Sequence, residues 1–237
     1  EMSGLSGGAV SSASITEGGS EIIITGDYFG PADTSDVDIQ AYYGPSGSPY
    51  KYTAANCAVS SSQTQITCST TAGVGSELLW HVNVGGQASA VLTSKSTRYA
   101  NPTVSSLSGV AFSSTSGTST GGGADIVLTG TNFGPADAGT FIFVYYGPIS
   151  EPKKFNATAT CSLTTSHRRI SCKTVAGVGQ DLKWQVEIEG QASDPSEPST
   201  KYLVPSIVDL SGNALAATGT TTYGGASLTI TGANFGP

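Results

Sequence analysis

The chain has 237 residues, a net charge of −7 and only 11% charged residues, with 31 glycines and a polar complement made mostly of serine and threonine. An acidic chain of this kind lacks the clustered Lys and Arg with which proteins grip phosphate, so no nucleic-acid partner is expected; Lys153, Lys154, Arg168 and Arg169 form its main basic concentration and read as a solvated face. No apolar run approaches the roughly 18 residues that a membrane-crossing helix needs, and no membrane insertion is expected of this segment.

Taken in chain order, the first strong element is the strand with Ile22 and Ile24 inward, closed by TGDYFGP at Thr25 to Pro31. The same closing motif recurs as TGTNFGP from Thr129 and TGANFGP from Thr231, at intervals of 104 and 102 residues, with Ile126 and Leu128, then Leu228 and Ile230, in the inward places. The spacing predicts two repeats of ordinary domain size, residues 1–101 and 102–203, and the start of a third at 204–237. Next come alternating strands with Ile39 and Tyr43 inward, matched by Ile142 and Tyr146. Further on lie Leu78, Trp80, Val82 and Val84, matched by the faultless alternation from Leu182 to Glu189. Period-two alternation marks half-buried strands, and Trp80 and Trp184 are the natural core anchors. Gly-Gly pairs at 18–19, 122–123 and 224–225 and Phe-Gly-Pro or Tyr-Gly-Pro turns punctuate these strands, and no amphipathic helix of ten residues stands out. The fold class is therefore all-β, as tandem immunoglobulin-like β-sandwich repeats. The junctions RYANP at 98–102 and KYLVP at 201–205 leave almost no linker, which predicts domains stacked end to end as a rod.

Four cysteines fall in two pairs with the same spacing, Cys57 with Cys68 and Cys161 with Cys172, one pair per repeat. An even count repeated this way reads as one disulfide each, and hence as an oxidising, extracellular or cell-surface location. The metal alternative needs clustered ligands, and His81 and His167 sit at unrelated repeat positions.

Together, Gly-Gly, an apolar strand closing in T-G-x-N-F, a Tyr-Gly turn and cysteines paired around a strand resemble the IPT/TIG domain, the immunoglobulin-like module of plexins, growth-factor receptors, some transcription factors and large secreted repeat proteins. The first copy departs from the motif, with Asp27-Tyr28 where the others carry Thr131-Asn132 and Ala233-Asn234. The variant GVGxxLxWxV is similar to long extracellular arrays of microbes. Acidity and disulfides set aside the DNA-binding branch.

No catalytic constellation assembles: His81, on the outward parity of its strand, and His167 read as surface histidines, and no enzyme activity or cofactor is expected. Gly73-Val74-Gly75 and Gly177-Val178-Gly179 lack the third glycine and helix of a phosphate loop and read as turns. Asp33, Asp36 and Asp38 could suit calcium, but only Asp137 answers them in the second repeat, so no metal is expected. Asn156-Ala157-Thr158 is a glycosylation sequon, and the hydroxyl-rich stretches 11–16, 60–64, 113–120 and 218–222 are candidates for O-linked sugar. Phe141, Phe143 and Tyr145 share the outward parity of one strand, at the places that Asp38, Gln40 and Tyr42 hold in the first repeat, and form a candidate contact surface. The reading that follows is a structural segment of a long extracellular repeat glycoprotein, forming a rod or fibre with neighbouring copies of the same repeat. The alternatives are an adhesion or receptor ectodomain that binds protein or glycan and an accessory domain of a carbohydrate-active enzyme. An in-register start at Glu1 and a third repeat too short to bury a core predict a longer parent chain, or strands donated by another chain.

Overall fold

The computed structural model describes residues 1–32, 38–114, 116–136, 141–215 and 219–237. The strands of the first repeat are β1 (Met2–Ser6), β2 (Glu21–Gly26), β3 (Ile39–Gly44), β4 (Tyr52–Thr53), β5 (Ala55–Ser61), β6 (Gln65–Ser69), β7 (Leu78–Val84), β8 (Gln87–Ala88) and β9 (Leu92–Thr97). They form a four-stranded sheet in the order β1-β2-β6-β5 and a five-stranded one in the order β4-β3-β7-β8, with β9 also on β7. Every pairing is antiparallel.

The second repeat reproduces this plan with β10 (Thr103–Ser108), β11 (Asp125–Thr131), β12 (Ile142–Gly147), β13 (Phe155–Asn156), β14 (Ser162–Thr165), β15 (Arg169–Lys173), β16 (Leu182–Ile188), β17 (Gln191–Ala192) and β18 (Ser199–Thr200). Its sheets run β10-β11-β15-β14 and β13-β12-β16-β17, with β18 on β16. A hairpin of β19 (Ser206–Ser211) and β20 (Thr229–Ala233) follows. The α-helices among the described residues are single turns, α1 (Gly8–Ser11) and α2 (Val110–Ser113).

Alternation decides what lies between the sheets. Ile22 and Ile24 on β2 face Trp80 and Val82 on β7 across the first core, and Ile126 and Leu128 face Trp184 and Val186 across the second, all essentially without solvent contact. Each indole stacks on a tyrosine of the neighbouring strand, Trp80 on Tyr43 and Trp184 on Tyr146, with ring centroids 4.2 Å apart in both. Such stacking adds about 0.5–1.5 kcal/mol to the gain from burying the rings. The indole N–H groups are satisfied inside the core by Thr97 Oγ1 at 2.9 Å and Thr200 Oγ1 at 3.0 Å.

The recurring T-G-x-x-F motif has a steric cause. A Cβ on Gly26 would overlap the carbonyl oxygen of Glu1, and one on Gly130 that of Thr103, because the opening strand crosses directly over this position. The phenylalanine three residues on, Phe29 or Phe133, folds beneath the glycine into the core. In the third copy the expected inward residues Leu228 and Ile230 are about half exposed, since no described strand packs over the hairpin.

Disulfides join Cys57 to Cys68 and Cys161 to Cys172. Cys57 lies on β5 and Cys68 on β6, so the bond ties two adjacent strands of one sheet; the second repeat does the same beside β14 and β15. No described helix is long and apolar enough to cross a membrane.

Candidate functional site

Two kinds of surface stand out: the joint between the repeats, and the outer faces of the five-stranded sheets. The joint begins where Tyr99 and Ala100 leave β9, with the Ala100 N–H bonded to the Ser14 carbonyl, and Pro102 turns the chain into β10. From the second repeat, Gln191 reaches back, its Nε2 donating to the Tyr99 carbonyl at 2.9 Å and to Asn101 Oδ1 at 3.0 Å. Gln191 is buried, whereas its counterpart Gln87 in the first repeat is exposed. Asn132 Nδ2 donates to the Asn101 carbonyl at 3.1 Å, while its Oδ1 accepts a long bond from the Thr16 N–H at 3.5 Å. Thr16 Oγ1 and His167 Nδ1 share a 2.8 Å hydrogen bond.

Two ion pairs flank these bonds, Glu17 with Arg168 at 2.7 Å and Lys51 with Glu189 at 3.4 Å. Partly exposed pairs of this kind each contribute about 0–1 kcal/mol. Val74 supplies the apolar centre: it is buried and belongs to the hydrophobic cluster of the second repeat although its chain position is in the first. Before it, Gly73 lets the backbone pass close to Tyr52 and Tyr99, and after it Gly75 takes the left-handed φ of 106.

A partial copy of the joint recurs at the next boundary. Asn234 Nδ2 donates to the Val204 carbonyl at 3.2 Å, the counterpart of Asn132 on Asn101. Val178, the counterpart of Val74, lies with Tyr202, Leu203, Val204 and Phe235 around an apolar cleft. Asn132 and Asn234 both hold φ 60, the left-handed conformation that asparagine tolerates better than most residues. The first copy places Tyr28 there at φ 67, with its ring largely in solvent.

On the outer face of the second five-stranded sheet, Phe141 and Phe143 are exposed, and Phe143 lies parallel to half-buried Tyr145 at 6.4 Å between centroids. Lys153 Nζ sits 4.9 Å above the Tyr145 ring and donates to Glu187 at 2.6 Å, which raises the lysine's pKa. The same face of the first repeat carries Gln40, Tyr42, His81 and Asn83. Here the expectation of a surface histidine fails: His81 is 1% exposed, because Tyr42 from the next strand and Tyr50 from the β3–β4 turn close over it.

Asn156, on the exposed edge strand β13, accepts the Thr158 N–H at Oδ1 over 3.0 Å. Of the candidate calcium ligands, Asp33, Asp36 and Asp137 lie outside the described residues, as do Thr115 and Thr218 of the hydroxyl-rich stretches; Asp38 receives the Gln40 amide at 3.4 Å. Among the described residues no cluster of metal-ligating side chains forms.

Two facing antiparallel sheets with these connections define an immunoglobulin-like β-sandwich. Residues 8–99 match the IPT/TIG domain family, so the first sandwich is an IPT/TIG domain, and the second repeats its strand order. Among solved structures, the chain is similar to the surface glycan-binding protein PbSGBP-B of Prevotella bryantii, with TM-score 0.50 and 12% identity over 84% of this chain and 43% of the other. Weaker likenesses are SGBP-B from a xyloglucan utilization locus of Bacteroides uniformis, with TM-score 0.30, 14% identity and coverage of 93% and 58%, and InvD of Yersinia pseudotuberculosis, with TM-score 0.26, 10% identity and coverage of 87% and 62%. The chain thus spans less than two thirds of each of these proteins, and at such identities the likeness is one of fold. No curated protein matches the sequence.

Proposed function

We propose that this chain is a non-catalytic, structural segment of an extracellular or cell-surface glycoprotein, in which immunoglobulin-like repeats spanning 1–101, 102–203 and 204 onward are set end to end as a stiff rod. The observation that carries the reading is the joint. Gln191 and Asn132 bind the carbonyls of Tyr99 and Asn101, and Val74 is buried in the neighbour's apolar cluster. A hinge would leave these groups in water. The disulfide in each repeat suits an oxidising compartment, and a sugar at Asn156 would stand on an edge strand and discourage pairing between sheets.

Small-angle scattering on the intact chain tests the joint. The expected distance distribution is that of one elongated body, and Gln191→Ala combined with Asn132→Ala broadens it. A distribution that is compact, or broad from the start, would overturn the rod.

A second reading, an adhesion surface, draws on the exposed Phe141 and Phe143 beside Tyr145. Capture of a protein or glycan by the chain that is lost in Phe143→Ser would favour it, and capture that survives this change would count against it.

A further inference from the structure

On the outer face of the first five-stranded sheet, β3 and β7 set Tyr42 beside His81 and Gln40 beside Asn83 as cross-strand pairs. Tyr50 leans in from the β3–β4 turn, its ring edge-on to the imidazole at 4.3 Å and tilted against Tyr42 at 5.3 Å. Tyr42 in turn lies nearly parallel to the imidazole. Beneath this thin aromatic cover, neither ring nitrogen of His81 has a hydrogen-bond partner, and nor does Asn83 Oδ1. Buried polar groups are almost always satisfied, so three unmet atoms on one face of one strand point to something that satisfies them.

The second repeat shows that this is not a property of the fold. There Gln185 stands in place of His81 and donates to the Ser193 carbonyl at 2.7 Å. Glu187 stands in place of Asn83 and accepts from Lys153, which itself stands where Tyr50 does. The same face is self-satisfied in one repeat and incomplete in the other.

The chemistry of the incomplete face selects its ligand. Burial lowers the His81 pKa, so the ring is neutral and offers one donor and one acceptor. Asn83 adds an acceptor, and the 64% exposed ring of Tyr50 adds a flat apolar platform. The cation next in sequence, Lys51, is held by Glu189 across the joint, which leaves the face poorly made for an anion, and the Asp38 carboxylate is engaged by the Gln40 amide, which leaves it poorly made for a cation. A ligand that lays C–H groups on an aromatic ring and hydroxyls on neutral donors and acceptors is an uncharged pyranose.

We propose that Tyr50, Tyr42, His81 and Asn83 form a binding site for a neutral saccharide. Tyr50 turns to lie along the face of the sugar, and the hydroxyls thereby exposed to His81 and Asn83 complete their hydrogen bonding. The proposal does not depend on the rod: either can fail without the other.

The intact chain is titrated with a panel of neutral oligosaccharides built from glucose, mannose and galactose, with a sulfated oligosaccharide and tetramethylammonium as charged comparisons. Calorimetry and the NMR resonances of the His81 ring are followed. At least one neutral sugar is expected to shift the His81 signals saturably, with affinity lowered about tenfold in Tyr50→Ala and in Asn83→Ala and unchanged in Phe143→Ser. Tyr50 lies on an exposed turn, and an unchanged thermal midpoint of Tyr50→Ala verifies that its fold is intact. No saturable shift with any neutral sugar, binding of the charged probes alone, or sugar binding that survives both substitutions would overturn the site.

Discussion

The phenol of Tyr99, on the segment leaving the first sandwich, shares a buried 2.7 Å hydrogen bond with the phenol of Tyr43 on β3. Both also engage Thr71: Tyr99 Oη donates to its carbonyl at 2.6 Å, and its N–H donates to Tyr43 Oη at 2.8 Å. Tyr202, Tyr146 and Val175 repeat the arrangement in the second repeat, with the phenols 2.6 Å apart. The exit of each sandwich is thus bolted to its core.

Removing the Tyr99 hydroxyl takes the 2.6 Å donor from the Thr71 carbonyl and one buried partner from Tyr43, which keeps the Thr71 N–H. Tyr99→Phe is expected to cost about 1–3 kcal/mol, read as a lower urea midpoint with unchanged slope. Burial also raises the Tyr99 pKa well above its ordinary 10.0. The unfolded chain ionises first, so the stability this phenol contributes is complete below pH 10.0 and is lost as pH rises beyond it. In Tyr99→Phe that part of the alkaline loss should be absent; an alkaline limb equal to that of the wild type would refute the assignment.

At the acid end the relevant group is His81. Burial lowers its pKa from 6.5, so below that pH the unfolded chain binds a proton that the folded one resists. Stability therefore falls as pH drops from 6.5 toward the lowered folded value. Thermal melts of the wild type and His81→Phe across this window should show the wild type losing ground to the variant as the solution is acidified. Parallel curves would mean that the imidazole is not shielded in solution.

Left-handed backbone at non-glycine residues recurs in register: Glu77 at φ 54 and Asp181 at φ 53 occupy the same place before β7 and β16. Both side chains are exposed. Glycine adopts this conformation without a Cβ clash, so Glu77→Gly and Asp181→Gly should each stabilise by about 0.5–1 kcal/mol, measured as a raised urea midpoint. Tyr28→Asn, which restores the residue of the other copies at φ 67, should act in the same direction. A fall in midpoint would mean that these side chains make contacts worth more than the strain.

The sandwich was legible because its signal is local. Strict alternation identified Trp80, Trp184, Tyr43 and Tyr146 as core residues, and equal cysteine spacing identified the two disulfides. His81 shows the limit of that signal. Parity gives the face of the sheet correctly, but not whether Tyr42 and Tyr50 will cover that face. The joint was hidden for a different reason. Gln191 meets Tyr99 across 92 residues of sequence and His167 meets Thr16 across 151, so no periodicity links them. One clue was present in T-G-x-N-F, where an asparagine follows a strand at a position that needs positive φ and a side chain able to bond backbone.

The bond made by Asn132 and by Asn234 falls on a main-chain carbonyl, so it is indifferent to the side chain of the residue it meets. The carbonyl belongs to Asn101 in one case and to Val204 in the other, and the bond is the same. A main-chain target leaves the side chain at that position free to differ from copy to copy while the backbone there keeps one geometry, much as bricks of different colour are laid with one mortar joint.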